Sequence, residues 1–76
     1  MNAKISASTL ENLRDKRADE LVTLQLQTNT VFTEEIDLLM AWGGMLLYDN
    51  GTMATVRIPV GRVNDIAEWD IVCHIR

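Results

Sequence analysis

The sequence predicts an α+β fold, and three observations carry that expectation. Leucines recur at helical spacing from Leu10 to Leu24, two short apolar runs flank an Asn50-Gly51 pair, and the last residues alternate between apolar and polar. The expected order is a long N-terminal helix, a short second helix, then a three-stranded antiparallel sheet. That sheet would comprise a hairpin over 45–58 and a C-terminal strand over 69–75.

Met1 to Ala7 reads as a flexible lead-in. Ser8-Thr9-Leu10-Glu11 then matches the capping box, in which the serine accepts from the glutamate amide and the glutamate reaches back. Leu10, Leu13, Arg17, Leu21 and Leu24 fall within roughly 80° of one another on a helical wheel, with Asn12, Asp15, Lys16, Asp19 and Thr23 opposite. No glycine or proline interrupts the segment before Thr28-Asn29-Thr30, so a helix from Thr9 to Gln27 is expected. One feature competes: Val22 to Gln27 alternates strictly and suits a strand, although no turn residue precedes it. Arg17 lies in the middle of the leucine face. Its stem can pack there while the guanidinium reaches water, or it can pair with Glu35, Asp37 or a partner's carboxylate, which makes it a candidate interface residue.

Thr33 is placed to cap a second helix, and Glu34, Glu35 and Asp37 suit the positive end of its dipole. Ile36, Leu39 and Met40 share one face; Leu38, Ala41 and Trp42 widen it until the helix is apolar nearly all round, and Gly43-Gly44 ends it. Met45 to Tyr48 and Thr52 to Ile58 then read as a hairpin. Its turn is either a type I′ turn at Asn50-Gly51 or a type I turn with a glycine bulge over Asp49-Asn50-Gly51. The two choices differ by one residue in register, leaving open whether Met45/Leu47 or Leu46/Tyr48 faces inward. On the second strand Ala54, Val56 and Ile58 form the apolar face, and Pro59 ends the pairing. Gly61 to Glu68 is a connection with one helical turn begun by Asn64 or Asp65. Trp69, Ile71, Cys73 and Ile75 alternate with polar residues and Val72, as in a half-buried strand; a helix from Asp65 onward is the rival.

The chain has 76 residues, 47% of them hydrophobic, and a formal net charge of −4. That length predicts a single domain over 1–76 which buries only about 60% of its unfolded surface, so self-association or a partner protein is the expected reinforcement. Cys73 is the only cysteine and His74 the only histidine, which rules out an internal disulfide and a zinc-ligand set within one chain. As neighbours on a strand they would point to opposite faces, Cys73 inward and His74 outward. No glycine-rich phosphate loop is present, since Gly43-Gly44 lacks a nearby lysine. Two helices and a hairpin also outline a winged-helix DNA-binding domain, but the helix entering the groove would carry Glu34, Glu35 and Asp37 and no cation. Arg57, Arg62 and Arg76 could cluster, among Asp65, Glu68 and Asp70. No secretory signal or membrane-length apolar run is seen, and a cytoplasmic location is expected.

From Ala18 to Val56 there is no lysine or arginine, while Asp19, Glu20, Glu34, Glu35, Asp37 and Asp49 lie within that stretch. Its centre, Leu38 to Tyr48, is uncharged and includes Trp42 and Tyr48. Aromatic and methionine side chains of this kind are enriched in interface cores. The functional expectation is therefore a small acidic, non-enzymatic protein-interaction module, acting as an inhibitor, adaptor or regulator. Accessory proteins of phages and mobile elements supply the expected setting. The candidate interaction residues are Arg17, Glu34, Glu35, Asp37, Trp42 and Tyr48. A homo-oligomer assembled through the leucine stripe is the alternative, and a dimeric DNA-binding regulator a weaker one. No cofactor, metal, nucleic acid or membrane is expected as a partner.

Overall fold

The fold is α+β, seen in a computed structural model that describes residues 4–76. The elements are α1 (Ala7–Leu13), β1 (Leu21–Thr28), α2 (Glu34–Ala41), β2 (Met45–Asp49), β3 (Met53–Pro59), α3 (Val63–Ala67) and β4 (Val72–Ile75), with a 3-10 turn over Val60–Arg62 leading into α3. The strands form one antiparallel sheet in the order β2-β3-β1-β4. After α1, the chain therefore follows the β-α-β-β-α-β succession of ferredoxin-like folds, in which each helix connects two strands separated by a third. Such a topology hosts many activities and implies none of them.

The long N-terminal helix does not form. α1 stops at Leu13, and the segment expected to be its second half is the central strand β1, which makes the sheet four-stranded rather than three-stranded. Leucines 21, 24 and 26 satisfy helical spacing at the first interval and strand spacing at the second, so the segment carries both periods. Tertiary pairing decides between them: β1 is bonded on both sides, to β3 from Leu21↔Pro59 to Gln27↔Met53, and to β4 through Leu26↔Ile75. The break comes in the charged run after α1, where Lys16 N–H donates to the Leu13 carbonyl (3.1 Å) and Glu20 N–H to that of Arg17 (3.1 Å). The helix start is also shifted. Ser6, not Ser8, is the N-cap; its Oγ accepts from the Thr9 amide at 3.2 Å and donates to Thr9 Oγ1 at 2.7 Å.

Of the expected flexible lead-in, Met1–Ala3 lie outside the described residues, and Lys4–Ala7 are tied down. Ile5 bridges to Ile75 in parallel and is buried, with Ser6 N–H donating to the Ile75 carbonyl (3.0 Å) and Ile75 N–H to that of Lys4 (2.8 Å). This added segment covers the outer edge of β4.

Residues paired across an antiparallel sheet share a face. Leu24, Leu26, Ala54, Val56, Ile58, Val72 and Ile75 are buried on one face. There Leu39 of α2 and Val63, Ile66 and Ala67 of α3 join them, with Phe32 from the loop before α2, in a single apolar cluster. The opposite face is open and carries Thr23, Gln25 and Gln27 of β1, Met53, Thr55 and Arg57 of β3, and His74 of β4. The expected inward set Ala54, Val56 and Ile58 on β3 is the observed one.

Two bulges reset the alternation of the outer strands. In β4 the register against β1 jumps from Gln27↔His74 to Thr28↔Val72, leaving Cys73 as the extra residue. Val72 and Ile75 are therefore buried, Cys73 is exposed and His74 half-buried, the reverse of the expected burial of Cys73. At the same place Thr28 is buried and its hydroxyl has no hydrogen-bond partner among the described residues. A buried unsatisfied hydroxyl is destabilising, and valine matches threonine in shape. Thr28→Val is expected to raise the unfolding free energy by about 1 kcal/mol, read as a higher urea midpoint at unchanged slope.

Candidate functional site

The site is built where α2 runs into β2. Thr33 occupies the expected cap position, but its side chain makes no capping bond; instead Glu35 Oε1 accepts from the Thr33 amide at 2.9 Å. Asp49, at the far end of β2, holds the loop before α2 by accepting from the Phe32 amide at 2.7 Å, and its other oxygen accepts from the Gly51 amide at 3.0 Å. One carboxylate thus ties the entrance of α2 to the hairpin tip. At the other end Gly44 makes the tight return: a Cβ there would run into the Arg57 carbonyl oxygen, so only glycine lets the backbone pass this close to β3.

The hairpin turn is not type I′, because that turn needs a positive φ at both central residues and only Gly51 has one, at 89°. Asn50 closes the turn, with its Oδ1 accepting from the amides of Thr52 (3.0 Å) and Met53 (2.8 Å). The register question resolves in a way that splits both expected pairs. Leu46 lies opposite Val56 and faces the core, Tyr48 lies opposite Thr55 on the open face, and Leu47 is a bulge between them. Met45, opposite Arg57, joins the open face.

The result is an apolar surface that the core leaves uncovered. Among the described residues eight large apolar side chains are exposed; six of them, Leu38, Met40, Met45, Leu47, Tyr48 and Met53, belong to α2, β2 and β3. An eight-residue helix can turn only one stripe inward. α2 buries Leu39 and half-buries Ile36, leaving Met40 64% exposed and Leu38 43% exposed. Between α2 and β2 runs a shallow cleft lined by Ile36, Met40, Gly43, Gly44, Met45 and Leu46. Glu34 and Asp37 are exposed on α2 and Glu35 is half-buried, giving the apolar strip an acidic border.

The sheet edge matters equally. β2 is an outermost strand, and no backbone–backbone hydrogen bond of Met45–Asp49 leaves its pairing with β3. It carries neither proline nor lysine, the residues that usually guard such an edge. The other outer strand, β4, is covered by Lys4–Ser6.

The structure brings only some of the candidate residues together. Glu34, Glu35 and Asp37 share the first turn of α2, and Tyr48, 56% exposed, lies on β2. Arg17 is elsewhere. It sits in the turn after α1, largely exposed and paired with Asp19 at 3.4 Å, not within a leucine face and not with Glu35 or Asp37. The stripe of Leu10, Leu13, Leu21 and Leu24 proposed for self-assembly is split between α1 and β1, with Leu24 buried in the core and Leu21 exposed. Trp42 is half-buried and occupied internally. It stacks on Trp69 (5.6 Å between centroids), the Arg62 guanidinium lies over the Trp42 ring at 5.0 Å from its centroid, and Phe32 meets Trp69 edge-on at 5.8 Å. This ladder ties the end of α2 to α3 and β4. Arg62 also pairs with Asp65 at 3.2 Å, so it does not cluster with Arg57 on the open face.

Met40, Met45, Leu47 and Met53 are the surface residues that individual sequence signals did not single out, though three of them lie in the flagged Leu38 to Tyr48 stretch. Among the described residues no group of three or more histidine, cysteine or acidic side chains could hold a metal ion, and no helix is long and apolar enough to cross a membrane. No family model, curated protein or solved structure matches the chain.

Proposed function

We propose that this chain is a small acidic, non-enzymatic protein-interaction module that acts as an inhibitor, adaptor or regulator of another protein and docks it through the α2–β2–β3 surface. The observation that carries the reading is the concentration of exposed Leu38, Met40, Met45, Leu47 and Tyr48 on α2 and the adjoining edge strand β2, outside the apolar core. Contiguous apolar surface bordered by polar groups marks interaction sites on soluble proteins, and methionine and tyrosine adapt well to partner surfaces. The acidic border of α2 supports a protein partner over a polyanion, because nucleic-acid affinity rests largely on cationic contacts to phosphate.

The test is affinity capture from source-cell lysate with the wild-type chain and with Met40→Glu/Leu47→Glu, both positions being exposed. The expected result is a reproducible partner retained by the wild type and lost from the variant, with unchanged circular dichroism. Equal retention by both would remove this surface from the account.

A further inference from the structure

We infer that the partner segment is extended, basic and apolar, and that it adds as a fifth strand along the free edge of β2 while placing alternate side chains in the cleft beside α2. This rests on the interaction-module reading above and specifies its binding mode. Four features converge on it. The edge of β2 has unpaired backbone capacity, since Met45–Asp49 bond through their main chain only to β3. An added strand satisfies those groups with main-chain hydrogen bonds, which supply affinity without regard to sequence. The cleft lined by Ile36, Met40, Gly43, Gly44, Met45 and Leu46 runs between that edge and α2, where every second side chain of an added strand would fall. The remaining side chains would lie toward the open face, beside Met45 and Tyr48.

Charge selects the occupant. Glu34 and Asp37 are exposed in the first turn of α2, the helix that lends Ile36 and Met40 to the cleft, and no lysine or arginine occurs from Ala18 to Val56; the first cation after that run, Arg57, lies on the open face opposite Met45. A segment with lysine or arginine among β-branched or aromatic residues complements those carboxylates. A second copy of this chain does not: each copy carries a net charge of −4 and brings the same acids to the edge.

The experiment selects binders to the folded full chain from a library of randomised linear peptides, then measures amide hydrogen exchange of the chain with and without a selected peptide. The expected peptides alternate apolar residues with lysine or arginine, and they slow exchange in Met45–Asp49. Their affinity falls with added salt and drops about tenfold in Glu34→Lys/Asp37→Lys, both exposed positions, and in Met40→Glu. Enrichment of acidic or helix-forming peptides, protection confined to β1 around Thr23 and Gln25, or no enrichment at all would overturn strand addition. So would concentration-dependent dimerisation that protects β2 without peptide. The two proposals fail separately. A captured partner whose binding depends on Met40 and Leu47 but leaves β2 exchange unchanged overturns strand addition and leaves the module standing; loss of that dependence overturns the module.

Discussion

Leu26→Ala is expected to lower the stability of the fold by about 2–5 kcal/mol, whereas Leu21→Ala leaves it nearly unchanged. Leu26 is fully buried at the centre of the sheet, opposite Ala54 on one side and Ile75 on the other. Removing a leucine side chain from such a site costs about 2–5 kcal/mol, through lost transfer energy and the cavity left behind. At about 0.05–0.15 kcal/mol per residue, a chain of 76 residues has a total stability of about 4–11 kcal/mol, so the substitution removes a large share. Leu21 is 54% exposed at the end of the same strand, and truncating it costs within about 0.5 kcal/mol. The pair separates the strand from the helix that the leucine spacing suggests. On that helix Leu21 belongs to the buried stripe and Leu26 does not, so the order of effects would be reversed. Urea titrations of both variants read the difference directly.

Gly44→Ala has the next largest effect, about 3 kcal/mol, at the upper end of overpacking costs. The obstacle is the Arg57 carbonyl and the Ile58 Cα and Cγ2 of β3, mostly backbone that cannot swing aside, so the start of β2 must move away from β3. Gly43→Ala is the control. It has a φ of 85° but open space around a new Cβ, so its cost is only the strain of a left-handed alanine, about 1 kcal/mol. Because Gly44 lines the cleft and fixes how closely the start of β2 approaches β3, its replacement is also expected to weaken partner binding beyond what the loss of folded protein explains. Gly43→Ala should leave the affinity of the folded fraction near that of the wild type. Comparing urea midpoints with binding per folded molecule distinguishes the two glycines.

The parts of the fold legible in the sequence are those where one local signal acts alone. Gly43-Gly44 and Asn50-Gly51 punctuate the chain, so α2, the hairpin and the inward set of β3 follow from residue type and alternation. β1 was hidden because Leu21, Leu24 and Leu26 satisfy two periods and the turn before it uses charged residues in place of glycine or proline. Only the pairing with β3 and β4, distant in sequence, selects the strand. The bulges at Leu47 and Cys73 are equally non-local: each is defined by what lies opposite, and each inverts a face assignment read from alternation.

The candidate site divides in the same way. The Leu38 to Tyr48 stretch and its acidic border were legible as an uncharged run flanked by carboxylates, and Leu38, Met40, Met45, Leu47 and Tyr48 are exposed within it. Individual residues were not. Trp42 looked like an anchor for a partner but stacks on Trp69, and Arg17 looked embedded in a leucine face that the fold never forms. The free edge of β2 could be inferred only once β1 had taken the central position and Lys4–Ser6 had covered β4.

Site-specific photocrosslinking in the source cell tests the claim about the docking surface most directly. A photoreactive amino acid is placed in turn at Met40, Leu47, Glu68 and Asn12, all exposed positions and the last two outside the α2–β2–β3 surface. Met40 and Leu47 are expected to crosslink to the same protein, and Glu68 and Asn12 are not. Crosslinks arising from Glu68 or Asn12 with none from Met40 and Leu47 would contradict the docking surface.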